Sequence, residues 1–281
     1  MGAHAAVAGG DRPLVVLIHG WEGSSDSLYL MSLAARLFDG GCDVFRLNLR
    51  DHGGTQHLNR ELFHSCRLSD VTGALAAINR HFPGRRVMLA GFSLGGNFAL
   101  RVACSAPAEG IVLHRVLAVS PVLDPHRTLG ALDRGLPLYR HYFMRKWRRS
   151  LLRKAACFPD DYDFSRLGEF KTLASMTAHF VEEYTGFSSL DDYLRGYALV
   201  GDRLWGLKVP SVVVAAEDDP IIPGQDLDEL AACPALHVVR VRHGGHCGFF
   251  DSWGFSSWLE ESALRLFNPS GEAGAGRRPG G

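Results

Sequence analysis

Short runs rich in apolar residues, continuous at 14–18 and 87–90, alternate along this chain with longer stretches in which apolar residues recur every three or four positions. The runs fall at residues 14–18, 43–49, 87–90, 115–120, 211–216 and 237–241. Each has the length of a strand, and continuous apolarity suits parallel strands buried between two helical layers. Residues 26–38 place Leu30, Leu33, Ala34 and Leu37 on one helical face, with Ser24 or Ser25 as a cap and Gly40-Gly41 as a stop. Further helices are predicted at 69–81, halted by Pro83-Gly84, and at 97–103, 224–232 and 252–266. This alternation predicts a mostly parallel sheet of about six strands with helices on both faces. Residues 1–12 read as a flexible lead and 268–281, rich in Gly, Ser, Pro and Arg, as a disordered tail.

Between 122 and 207 the alternation breaks, and aromatic and basic residues take over. The expected organisation is a core of 1–121 and 208–267, interrupted by a helical insertion at 122–207. Within the insertion, a helix over 137–154 would group Leu138, Tyr142, Phe143, Trp147, Leu151 and Leu152 on an apolar face, packed on the core or lining a pocket. Residues 127–154 hold nine Arg or Lys and one acid, Asp133. A basic amphipathic helix can also lie on anionic lipid, which is kept as a minor expectation.

Composition narrows the function classes. Thirty basic and thirty acidic residues cancel, so no global charge points to nucleic acid. The six cysteines include no C-x-x-C pair and read as reduced structural thiols, with no zinc site. Residues 1–10 lack the basic and apolar regions of a signal peptide, and no apolar run nears the ~20 residues of a membrane span. A soluble cytoplasmic protein is expected.

The chemistry gathers at strand ends. Residues 87–90 lead directly into Gly91-Phe92-Ser93-Leu94-Gly95 and then a helix. Strand, Gly-x-Ser-x-Gly, helix is the context of a nucleophile elbow. Ser93 needs a base, and His246 follows the last strand in a Gly-Gly-His-Cys-Gly loop. Asp219, just after residues 211–216 and before Pro220, is the candidate acid; Asp218 is its rival, and His243 is the rival of His246. The order Ser, Asp, His is that of serine hydrolases built on a strand–turn–helix elbow. Backbone N–H groups of Trp21 and Leu94 are the expected oxyanion donors, each worth about 3 kcal/mol of barrier. His19, Gly20, Phe92, Tyr142 and Trp147 are tentative substrate contacts. His52, His57 and His64 read as solvated or turn residues, Glu22 and Asp26 as helix-start residues, and Cys247 as packing beside the base.

Together these residues resemble the α/β-hydrolase superfamily. Segments 21–27 (Trp-Glu-Gly-Ser-Ser-Asp-Ser), 48–54 (Asn-Leu-Arg-Asp-His-Gly-Gly), 62–67 (Leu-Phe-His-Ser-Cys-Arg), 91–97 (Gly-Phe-Ser-Leu-Gly-Gly-Asn) and 244–249 (Gly-Gly-His-Cys-Gly-Phe) are similar to its YheT-like branch. Members of that branch are generally taken as carboxylester hydrolases, some acting on lipid esters. The resemblance implies the same trio, Ser93, Asp219 and His246. It departs at the start: the family carries an antiparallel strand pair and a His-Leu-Gln-Thr segment upstream, and residues 1–13 show no strand-like pattern. The pair is therefore expected to be missing, through a chain that begins further upstream or a shortened edge, leaving apolar sheet edge open to association.

The expected activity is cleavage of a small-molecule carboxylic ester with a hydrophobic acyl group, through an acyl-enzyme and with no cofactor. Thioesterase or lipase action on the same trio is the nearest alternative. A non-catalytic scaffold or ligand sensor on the hydrolase fold is the alternative from another class.

Overall fold

The computed structural model describes residues 3–6, 11–249 and 257–268. Its strands are β1 (Ala3–Ala6), β2 (Leu14–Ile18), β3 (Asp43–Leu47), β4 (Val87–Phe92), β5 (Arg115–Val119), β6 (Ser211–Ala216) and β7 (Leu236–Val241). They form one seven-stranded sheet in the order β1-β3-β2-β4-β5-β6-β7. Every pairing is parallel except that of β1, which runs antiparallel to β3 with Ala3 opposite Leu47 and Ala6 opposite Val44. The sheet thus has one strand more than the six expected, and it falls within the supposed lead. Ala-His-Ala-Ala has neither β-branched residues nor alternation, so the sequence gives no strand signal there. The pairing is made by backbone groups on the free edge of β3.

The helices are α1 (Leu28–Asp39), α2 (Leu68–His81), α3 (Leu94–Ser105), α4 (Pro125–Arg134), α5 (Pro137–Cys157), α6 (Leu173–Tyr184), α7 (Leu190–Arg195) and α8 (Trp258–Phe267). Alternate strand residues feed two separate cores. Val16, Ile18, Leu89 and Ala118 pack on the side that includes Phe98 of α3 and Val71 of α2. Val15, Leu17, Ala90 and Val119 pack on the other side with Leu33 of α1 and Leu264 of α8. Burial on both faces is why the central strands β2 and β4 are continuously apolar, whereas the outer strand β7 carries His237 and Arg240 at exposed positions. Arg36 of α1 fastens α8 through a two-pronged contact to Glu261, at 2.6 and 2.9 Å.

Two predicted helices differ in detail. Residues 224–232 hold only a 3-10 turn, Gly224–Glu229. The next residues are drawn into a bridge with Gly201, whose N–H donates to Glu229 O at 2.8 Å and whose O accepts from Ala231 N–H at 3.2 Å. The last helix begins at Trp258; residues 252–256 lie outside the described ones, as does the predicted tail from 269 onward. Asn268, placed in that tail by the sequence, is ordered by its side chain, which donates to Gly40 O at 3.0 Å.

Between β5 and β6 run α4 to α7. Asp124 caps α4 by accepting from His126 and Arg127 N–H, and Pro125 and Pro137 open their helices at the positions where a missing N–H costs nothing. Of the apolar face expected of helix α5, Leu138, Tyr142, Phe143 and Trp147 line a pocket and Trp147 and Leu151 are buried, but Leu152 does neither. Met144, Trp147, Leu151 and Lys154 are its buried residues, while Leu138, Tyr142 and Leu152 are exposed.

Candidate active site

The elbow is shaped by contacts that exclude side chains. Ser93 sits between β4 and α3 with φ 52° and ψ −117°, a left-handed strained conformation for a residue with a Cβ. A Cβ on Gly91 would lie 2.1 Å from Gly95 O, and one on Gly95 would lie 2.5 Å from both Ile18 O and His19 O. The two glycines therefore allow α3 to pass against β2 and β4. Gly95→Ala is expected to cost about 3 kcal/mol or more, because the clash is with backbone that cannot rotate away. Gly73→Ala, in an exposed part of α2 with nothing within 4 Å of the new methyl, is expected to stabilise by about 0.5–1 kcal/mol. Chemical denaturation of the two variants checks the contrast.

The non-glycine residues with positive φ are Glu22, Asp51, Ser93, Ser120, Cys247 and Phe249 among the described residues. All follow the carboxyl ends of parallel strands. Sharp turns are thus concentrated on the rim where an α/β sheet binds its ligands.

Asp219 and His246 meet there. Asp219 Oδ2 lies 2.9 Å from His246 Nδ1, and Asp219 Oδ1 accepts from Ile221 and Ile222 N–H at 2.8 and 3.0 Å. Its side chain is 1% exposed and its three partners fix the carboxylate. Asp218 does something else: its Oδ1 accepts from Gly244 and Gly245 N–H at 3.0 and 2.8 Å, shaping the loop that carries His246. His243 is 87% exposed beside Asp218. Burial disfavours a charged His246, but Cys247 and the Asp219 carboxylate outweigh it and raise the imidazole above its ordinary pKa.

Ser93, His246, Cys247 and Leu94 line a cavity of roughly 570 Å³. Gly20, Trp21, Phe92, Tyr142 and Trp147 line it too, as does His64. Helices α4 to α7 supply much of its wall, through residues such as Leu132, Phe143, Phe180 and Tyr193. Leu94 is the first residue of α3, where an N–H has no partner within the helix. The Trp21 loop is held in place from both sides. Gly20 N–H donates to the Tyr29 hydroxyl at 2.9 Å, and the Trp21 ring stacks on Phe143, with centroids 5.4 Å apart, and edge-on to Trp147 at 5.3 Å.

His19 is not part of the cavity wall. It is fully buried, with Nδ1 donating to Gly20 O at 2.7 Å and Nε2 accepting from Leu49 N–H at 3.1 Å. Both nitrogens are spent holding the ends of β2 and β3 together, so its role is that of a bracket behind the Trp21 loop. His52 is likewise buried, not solvated, with its ring 5.0 Å from that of His19 and Nδ1 on Arg50 O at 2.7 Å. His57 is exposed. Burial pushes the His19 pKa down to about 3 and that of His52 down to about 4. The unfolded chain binds these protons near pH 6.5 and the folded chain does not. Each of these histidines is therefore expected to remove close to 1.4 kcal/mol of stability per pH unit as pH falls below about 6.5; His64, lowered to about 4, adds to that slope, and Glu22, raised to about 7, offsets one histidine's share. Urea titrations at pH 7 and pH 5 measure the slope; a flat profile would remove the two histidines as its cause.

Several cavity residues carried no recognisable signal. Tyr29, which holds Gly20, stands in a helix and reads as one of its apolar positions. Glu22 lines the cavity and does not start a helix; burial pushes its pKa up to about 7 against the pull of Lys146. Lys146 also lines the cavity, and its Nζ donates to Glu22 O at 3.0 Å. Only the nearness of Glu22 to the Gly20-Trp21 loop hinted at this polar corner.

A half-buried strand-end serine, a histidine paired with a carboxylate, and a largely apolar cavity on the carboxyl rim of a parallel sheet accompany the fold of a hydrolase. The chain belongs to the alpha/beta hydrolase fold family, whose pattern it matches over residues 13–252. Its relatives include YheT of Escherichia coli (strain K12), at 24% identity over 250 residues, covering 85% of this chain and 71% of that protein. A monoacylglycerol lipase of Saccharomyces cerevisiae is 20% identical over 268 residues, covering 91% of this chain and 59% of the lipase. The chain thus spans 59% to 71% of the length of these relatives. Among solved structures, the Pyrococcus furiosus esterase Pf2001 superposes with a TM-score of 0.61 at 13% identity, over 94% of this chain and 85% of that one, a likeness of fold. No helix among the described residues is long and apolar enough to cross a membrane.

Proposed function

We propose that the protein is a serine hydrolase that cleaves carboxylic esters with a hydrophobic acyl group. The observation that carries this reading is the pairing of Asp219 with His246 at 2.9 Å beside a cavity that Ser93 and His246 share. Asp219 engages Nδ1, so in the neutral imidazole, the form favoured as pH rises towards the raised His246 pKa, Nε2 is the nitrogen left to accept a proton. Ser93 Oγ attacks the ester carbonyl as His246 takes its proton, and the carbonyl oxygen becomes an oxyanion held by Trp21 and Leu94 N–H. Collapse breaks the ester C–O bond; His246 returns the proton to the leaving alcohol, and an acyl-Ser93 remains. Water then attacks with the same base, releasing the acid and restoring the Ser93 hydroxyl. Asp219 sets the imidazole tautomer and stabilises the imidazolium throughout.

The helices between β5 and β6 form a cap whose apolar lining suits an acyl chain. Glu22 and Lys146 offer a polar corner for the alcohol part of the ester. The lipase relative supports a lipid ester in particular, and thioesters would use the same steps. A fluorophosphonate probe tests the reading: it should label Ser93 in the wild type and leave Ser93→Ala unlabelled. Labelling of neither protein would point to the scaffold alternative.

A further inference from the structure

Helix α5 has an outer face that nothing in the described residues covers. Leu138, Tyr142, Arg145, Arg149 and Leu152 succeed one another at three- or four-residue spacing, so they form one stripe, and all five are exposed. Leu138 is 75% exposed and Leu152 54% exposed, and Leu136, just before the helix, is 61% exposed. Clustered exposed apolar side chains of this kind mark a contact surface.

The charge on the stripe has one sign. No Asp or Glu occurs between residues 134 and 157. The neighbouring Arg140 and Arg148 are spent on the carbonyls of Asp133 and Phe170. Arg134, Arg145, Arg149 and Arg153 are exposed and, among the described residues, form no ion pair. The same stripe reaches the catalytic cavity, because Leu138 and Tyr142 line it. Leu28, flanked by the cavity-lining Ser27 and Tyr29, is exposed as well, at 79%.

Interleaved leucine and arginine match a surface that is anionic outside and apolar just beneath, which is an acidic phospholipid bilayer. A second copy of the chain fits less well, since a two-fold contact through this stripe would set arginine against arginine. We infer that the exposed stripe of α5 docks the protein on an anionic phospholipid surface, with the cavity mouth facing the lipid. Docking does not depend on Ser93; delivery of an ester from the bilayer to Ser93 rests on the hydrolase reading above.

Co-sedimentation with phosphatidylglycerol vesicles and with phosphatidylcholine vesicles at low ionic strength tests the docking. The wild type and Ser93→Ala should both pellet with phosphatidylglycerol, weakly with phosphatidylcholine, and come off in high salt. The double variant Arg145→Gln/Arg149→Gln should partition about 30-fold more weakly, given the typical contribution of one basic residue near an anionic surface. Its hydrolysis of a soluble short-chain ester and its thermal unfolding should match wild type, which separates lost docking from lost folding. Leu152→Ser should weaken partitioning further at fixed charge. No preference for phosphatidylglycerol, or equal partitioning of the variants and wild type, overturns the proposal. A dimer in sedimentation velocity that the double variant abolishes would assign the stripe to a second copy and overturn it as well. Failure of fluorophosphonate labelling would sink the hydrolase reading alone and leave the vesicle result standing.

Discussion

Ser93→Ala is expected to lower kcat/KM for a p-nitrophenyl ester by about 10⁴-fold or more, with the residual rate carried by binding and the oxyanion donors. In the proposed reaction the hydroxyl oxygen is the atom that becomes acylated, so removing it removes the step itself. Cys247 also lines the cavity, but it lies on the His246 loop, not at the tip of β4. Stability should move in a different pattern. Ser93 keeps φ at 52° whatever its side chain does, so alanine inherits the strain. Glycine does not, and Ser93→Gly is expected to be more stable than Ser93→Ala by about 1 kcal/mol or more while being equally inactive. Steady-state kinetics and urea melts of the two variants read both effects. An alanine variant that keeps a tenth of wild-type turnover would remove Ser93 as the acyl acceptor.

The contrast between alanine and glycine shows which parts of this site a sequence can carry. Gly91 and Gly95 are legible because each is needed to avoid a clash with backbone only a few residues away in one motif, or on the adjacent strand. The central parallel strands β2 and β4 are the most legible, because burial on both faces leaves no polar position in them. Asp219 could be preferred over Asp218 from its place before Pro220, yet only the geometry shows that Asp218 is occupied by Gly244 and Gly245 N–H. His19 misled in the opposite direction. Its position at the tip of β2 looks like that of a ligand-contacting residue, but its partners are the backbone of Gly20 and Leu49, which no local pattern encodes. Strand β1 and the fate of α5 were hidden for a shared reason. Alanine pairing and the choice of a buried helical face are both decided by what lies alongside, and the apolar pattern of α5 runs most of the way around the helix.

Lys154 is the sharpest case of a residue whose role only tertiary structure assigns. In the sequence it is the last of the nine basic residues between 127 and 154, and nothing there sets it apart from the others. In the fold its side chain is 1% exposed. Its ammonium lies 2.8 Å from Asp51 Oδ1 and donates to the carbonyls of Gln56, Asn59 and Glu61, the first and last at 3.3 and 3.2 Å. Asp51 Oδ2 in turn accepts from Phe63 N–H at 2.7 Å. One ammonium thus closes the loop from Asp51 to Phe63 and joins it to α5. Burial raises the Asp51 pKa despite that pairing, so the carboxylate depends on Lys154 for its charge. Lys154→Met keeps the length of the side chain but leaves a buried carboxylate and three carbonyls without their donor. It is expected to cost about 3–5 kcal/mol, the range for a buried pair broken on one side. Adding Asp51→Asn should recover part of that loss, giving a coupling of about 1 kcal/mol or more in a double-mutant cycle. Phe63 and His64 hang from the same loop and line the cavity, so KM for long-chain esters should rise in Lys154→Met even at temperatures where the protein is folded. Urea denaturation of the four proteins of the cycle measures the coupling. Strict additivity, or a single-variant loss below about 0.5 kcal/mol, would mean that water enters the clamp and solvates Asp51 in place of Lys154.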